Sequence, residues 1–149
     1  MMATAGVVRA LRAAHLHDAS RQALLQMACD RIRSWGSPYT SVYAYMLHDG
    51  ELVLEAHAGR DTEHVRIPVG AGVCGTAVAE KADQNIRDVT AVGNYLACNA
   101  FTKSELVVLI RRGDHILGQI DIDSDVRDGF GEREHADVRT VADALAVLL

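Results

Sequence analysis

The sequence predicts an α+β fold: a central antiparallel β-sheet of about six strands, with N- and C-terminal helices packed on one face. Three observations predict it. Apolar residues recur at helical spacing at the two ends of the chain, with only one or two helical turns between them. Short β-branched and aromatic runs fill the middle and are joined by Asp-Gly and Gly-Asp turns. The only intervening helix is too short to connect parallel strands. At 149 residues the chain fits one domain, residues 1–149. A domain of that size buries roughly two thirds of the surface its unfolded form exposes, so no disulfide is needed to hold the core.

From Thr4 to His17, Val7, Val8, Leu11 and Ala14 lie on one helical face, and Thr4 is the expected N-cap. Asp18 or Ser20 caps a second helix carrying Leu24, Leu25, Met27, Ala28, Ile32 and Trp35, which Gly36-Ser37-Pro38 ends. Tyr39 to Leu47 and Glu51 to Ala58 form a hairpin around His48-Asp49-Gly50. A strand over His64 to Val69 follows, with Pro68 marking an edge or an end. Gly70 to Gly75 reads as a turn and Thr76 to Lys81 as a short helix. Asn85 to Val89 reads as a brief strand, and the aperiodic piece up to Lys103 as a functional loop. Leu106 to Ile110 and His115 to Asp123 make a second hairpin around Arg111-Arg112-Gly113-Asp114. Glu132 to Leu149 closes the chain as a helix with Val138, Val141, Ala142, Leu145, Val147 and Leu148 on one face, Phe130 packing just before it.

Twenty acidic residues exceed fifteen basic ones, and there is no dense Lys/Arg run. That charge pattern excludes the footprint of a nucleic-acid or anionic-membrane binder. The N-terminus has arginines every few residues and no uninterrupted apolar core, so a cytoplasmic protein is expected. Three cysteines, at 29, 74 and 98, are an odd and widely spaced set, unlike a secreted disulfide scaffold. Cys29 falls on the apolar face of the second helix and reads as a small buried residue. Seven histidines show no zinc-ligand spacing with the cysteines, so no metal is expected.

Gly70-Ala71-Gly72-Val73-Cys74-Gly75 fits the pattern G-x-G-x-x-G, but a dinucleotide site also needs a parallel βαβ unit, which this order of elements lacks. The glycines are better read as tight backbone with exposed amides, suited to a substrate carboxylate. Asp121 and Asp123, two apart on a strand, direct both carboxylates to one face while Ile120 and Ile122 fill the other. Taken alone, that pattern also describes the solvent face of a sheet.

The ordered series from Gly70 through Cys74, Leu96-Ala97-Cys98-Asn99, Ser104-Glu105-Leu106-Val107 and Gly118-Gln119-Ile120-Asp121-Ile122-Asp123-Ser124 resembles the free methionine-R-sulfoxide reductases, enzymes built on a GAF domain. The resemblance implies that the loop-rich middle folds over the sheet and encloses a small-molecule pocket. It implies reduction of free methionine-R-sulfoxide, with Cys98 as nucleophile, Cys74 as resolving thiol, and Glu105, Asp121, Asp123 and Tyr45 binding substrate. Sulfoxide reduction needs a thiolate, a proton source and a second thiol, which this set would supply. Crowding among the three carboxylates would raise the pKa of at least one. The resemblance further implies thioredoxin as reductant, no bound cofactor and a homodimer. Two unrelated loop thiols remain the alternative at the cysteine level, and a stand-alone GAF sensor without catalysis the alternative for the whole chain.

The chain departs from the family pattern at several positions. His64 stands where many members carry a further resolving cysteine, and an imidazole near Cys98 would lower its thiol pKa. Asn99 replaces an acid, Tyr95 replaces a histidine, and Ser41 stands where the family usually has a pocket tryptophan.

Overall fold

The structure, a computed structural model, describes residues 2–93, 95 and 100–149. Two N-terminal helices, α1 (Met2–Leu16) and α2 (Arg21–Arg33), precede a hairpin of β1 (Ser41–His48) and β2 (Glu51–Ala58). The chain continues through β3 (Arg66–Pro68), α3 (Gly72–Glu80), β4 (Gln84–Ile86) and a 3₁₀ turn at Val89–Ala91. It ends with β5 (Ser104–Arg112), β6 (His115–Ser124) and α4 (Glu132–Leu148). The six strands form one sheet in the order β3-β2-β1-β6-β5-β4, and every neighbouring pair is antiparallel. The expected α+β architecture is therefore the observed one. No described helix is long and apolar enough to cross a membrane.

The sheet separates two apolar clusters because side chains alternate along each strand. Val42, Ala44, Met46, Leu106, Val108, Ile110, Ile120 and Ile122 face α1, α2 and α4, forming the larger core with Leu11, Leu25, Ile32, Val141 and Leu145. Tyr43, Tyr45, Val107 and Leu109 face the other way, toward Val73, Cys74, Ala77 and Val78 of α3. The β1–β2 register slips by one residue between Ala44 and Tyr45, where Ala44 pairs with Ala56 but Tyr45 with Leu54. That bulge at Glu55 exchanges the faces of β2. Leu52 consequently joins the α3 side while Ala56 joins the helical core.

Several local expectations change. Thr4 is not an N-cap. It lies inside α1, buried, and donates through Oγ1 to Asp137 Oδ1 of α4 at 3.3 Å, a contact between the chain's ends that no local pattern reveals. Ser20 is the cap of α2, accepting from the Ala23 amide at 3.1 Å. The Gly70–Gly75 stretch is only partly turn, since α3 starts at Gly72. Three of its amides are already used, Gly70 N on Gly75 O, Ala71 N on Pro68 O and Gly75 N on Ala71 O. Gly75 is needed for close approach, because a Cβ there would lie 2.5 Å from the Pro68 carbonyl. The strand expected over Asn85 to Val89 is shorter and earlier, and Val89 begins the 3₁₀ turn, where the Asp88 side chain accepts from the Thr90 amide.

Candidate functional site

The site is built on three rows of residues that run across β1, β6 and β5 on the α3 side of the sheet. Ser41, Asp123 and Glu105 make one row, Tyr43, Asp121 and Val107 the next, and Tyr45, Gln119 and Leu109 the third. Directly opposed residues on adjacent strands place their Cβ atoms about 5 Å apart. The register therefore brings Glu105 against Asp123, with Asp121 one row away, although Glu105 belongs to a different strand. Solvent exposure of Glu105, Asp121 and Asp123 is 4%, 2% and 2%. The reading of Asp121 and Asp123 as a solvent face is thereby excluded.

Helix α3 lies over these rows and is tied down by Gln119, whose Nε2 donates to the Cys74 carbonyl at 3.0 Å. This anchor places the Cys74 thiol above the carboxylates, with Sγ 3.9 Å from Glu105 Oε2 as a weak donor. Tyr45, His64, Ile67, Val73, Cys74, Glu105 and Asp121 line one cavity. Sequence reasoning selected Tyr45, Cys74, Glu105 and Asp121, and the fold brings all four together. Asp123 is buried in the adjoining row and is not among the residues lining that cavity. Gln119 was missed, although it continues the alternation of Asp121 and Asp123 by one step and that parity was the available signal.

Tyr45 contributes its ring to the wall, while its hydroxyl donates to the His64 carbonyl at 2.7 Å. Tyr43 donates similarly to the Arg60 carbonyl at 2.8 Å, and Ser41 Oγ accepts from the Arg60 amide at 3.0 Å. Three side chains spaced two apart on β1 thus hold the segment from Gly59 to His64 against the sheet. Gly59 packs so closely on Ser41 that a Cβ would lie 2.6 Å from Oγ. No space is left there for a tryptophan, so the serine at 41 and the glycine at 59 form a matched pair. Arg60 then pairs with Asp125 through two bonds of 2.8 and 2.7 Å, its guanidinium 5.0 Å from the centre of the Phe101 ring.

Burial pushes the Cys74 thiol well above its ordinary value, with Asp121 and Glu105 adding to the effect, so the resting pocket holds Cys74 as the neutral thiol. Burial also pushes the Asp121 carboxyl up, outweighing hydrogen bonds from Glu105 and Cys74 that act in the opposite direction. A raised carboxyl was expected from crowding; desolvation is its principal cause. Chemically, the cavity offers a proton donor, a thiol and a second carboxyl within a few ångströms of one another. Cys98 and Asn99 lie outside the described residues.

The GAF domain family profile matches residues 18–149. Among characterised proteins, the chain is 40% identical over 105 residues to the free methionine-R-sulfoxide reductase of Escherichia coli, a match covering 70% of this chain and 63% of that protein. The chain spans about three fifths of the length of the curated relatives it matches first. Among solved structures, the type II free methionine-R-sulfoxide reductase from Thermoplasma acidophilum superposes with a TM-score of 0.82 at 38% identity, covering 86% of this chain and 91% of that one. The fRMsr of Staphylococcus aureus, in complex with substrate, superposes with a TM-score of 0.88 at 29% identity over 99% of this chain and 94% of that one.

Proposed function

The chain belongs to the GAF domain family, and on that premise we propose that it reduces free methionine-R-sulfoxide to methionine. The observation that carries this reading is the convergence of Cys74, Glu105 and Asp121 on one cavity, a thiol and two carboxyls drawn from three separate elements. In this reading the Cys98 thiolate attacks the sulfoxide sulfur, and the oxygen passes to the cysteine as a sulfenic acid while methionine leaves. The raised carboxyl of Asp121 supplies the proton that the departing oxygen requires. Cys74 then attacks the sulfenic acid, giving a Cys74–Cys98 disulfide and water. Reduced thioredoxin returns the pair to thiols, so one dithiol is oxidised for each sulfoxide reduced.

Cys74 suits the second step better than the first. Its buried thiol stays protonated at neutral pH and is a poor initial nucleophile. Glu105 Oε2, at 3.9 Å, is placed to take its proton when the disulfide forms. Glu105 and Asp121, with Asp123 in the neighbouring row, face the ammonium of a free amino acid, and the Tyr45 ring walls the other side. A residue inside a peptide has no such ammonium, which would account for preference for the free amino acid. A homodimer is part of the same reading.

The test is thioredoxin-coupled NADPH consumption with separated sulfoxide epimers. Turnover of the R epimer alone, lost in Cys98→Ser, is the expected result. A folded protein with no rate above background on either epimer would end the proposal and leave a binding domain.

A further inference from the structure

We propose that the reduced pocket also takes up one thiophilic divalent cation of the zinc class, held by Cys74 Sγ and by carboxylate oxygens of Glu105 and Asp121. These three donors are buried, and one ligand atom from each lies within 4.8 Å of the others. Zinc bound tetrahedrally takes a sulfur at about 2.3 Å and oxygens at about 2.0 Å, which separates S from O by about 3.5 Å. The Cys74 Sγ to Glu105 Oε2 distance of 3.9 Å is already near that value, and a few tenths of an ångström of side-chain rotation closes it.

A second observation concerns hydrogen bonding rather than donor spacing. Asp121 Oδ1 is buried without a hydrogen-bond partner, on a residue that lines the cavity and is 2% exposed. A buried carboxylate oxygen left unbonded is costly, and a cation removes that cost. The donor set also decides which cation. One sulfur with two carboxylates favours zinc or cadmium over magnesium or calcium, whose ligands are oxygens. Because positions 74, 105 and 121 are far apart in sequence, no ligand spacing announces the group; strand register and the seat of α3 assemble it.

Uptake displaces the Cys74 thiol proton and the Asp121 carboxyl proton, so that Cys–SH, Asp–COOH and M²⁺ become a thiolate and a carboxylate bound to M²⁺ with release of two H⁺, and affinity must rise with pH. Binding rests on the donor geometry alone. Competition between the cation and an amino-acid ammonium rests on the proposed function.

The experiment is titration of the fully reduced full-length chain with Cd²⁺, reading thiolate-to-metal charge transfer in the ultraviolet, followed by displacement with Zn²⁺. One equivalent of Cd²⁺ per chain is expected, with the band absent in Cys74→Ser and retained in Cys29→Ser and Cys98→Ser. Asp121→Asn should weaken binding at least tenfold in a protein that keeps its native circular dichroism. Glu105→Gln provides the same reading should Asp121→Asn unfold. No band, a band that persists in Cys74→Ser, one lost in Cys98→Ser, or carboxamide variants that bind as tightly as the parent would each overturn the assignment. The titration needs no turnover, so it separates failure of this site from failure of the reductase reading.

Discussion

A carboxyl group sealed inside a protein must shed its charge, find donors, or meet a cation, and Asp121 relies on the first. Burial raises its pKa, so the folded chain keeps a proton that the unfolded chain releases. Between the ordinary carboxylate value of about 4 and the raised folded value, the unfolded state binds fewer protons. Stability therefore falls as pH rises through that window. Asp121→Asn cannot ionise and should flatten this falling arm in urea unfolding measured across pH. The same substitution should lower kcat/KM for the sulfoxide by about a hundredfold or more, the usual contribution of a positioned acid. A variant that is fully active would remove Asp121 as the proton source. The shared face of Asp121 and Asp123 was plain in the sequence, whereas Gln119, one step back along the same alternation, was not read with them. The burial of all three was not legible there, because it depends on α3 and on the loop after β2, which meet the sheet through contacts remote in sequence.

Local order among the elements is set by where backbone groups are secured, and β1 secures the segment that follows β2. Gly59→Ala would drive a Cβ to 2.6 Å from Ser41 Oγ at a backbone φ of +110°, so the segment must move. Overpacking of this kind costs about 1–3 kcal/mol, measurable by urea denaturation. Tyr45→Phe should cost about 1 kcal/mol and expose the His64 region to faster amide exchange, because it removes the bond to the His64 carbonyl. A second junction ties α4 to the sheet. Asp83, just before β4, accepts from the Leu109 amide at 2.9 Å, from His135 at 2.7 Å and from Arg139. Burial works against the charged form of Asp83, yet the bonds from Arg139, Leu109 and His135 together hold its carboxyl below the usual range. Its contribution is then present above the ordinary carboxylate pKa and is lost as pH falls through the depressed one. Asp83→Asn should cost roughly 1–3 kcal/mol at neutral pH, and the difference from the parent should shrink in acid. The hairpin around Asp49-Gly50 was legible because turn chemistry is local. The Asp83 junction was illegible because an isolated aspartate announces nothing until a helix from the far end of the chain reaches it.

Across the whole molecule the sheet is a shared wall, and its two faces expose the cysteines to different conditions. Cys74 sits on the α3 side, beside a cavity. Cys29 sits on the other side, on α2 within the larger core, 1% exposed, with its thiol pushed up to about 12 by burial first and the Asp30 charge second. An alkylating agent needs both access and a thiolate, and Cys29 in the native state provides neither. No small local motion suffices to expose it, since α2 packs against β1, β2, α1 and α4 together. Its labelling should therefore require cooperative unfolding. In a Cys74→Ser, Cys98→Ser background, iodoacetamide should modify Cys29 at least about a thousandfold more slowly than an unfolded thiol, following the global stability. The logarithm of that rate should rise with urea along the slope of equilibrium unfolding. Labelling that is indifferent to low urea would mean that α2 lifts from the sheet by itself, and the helical layer would then have to be treated as a separate unit of stability.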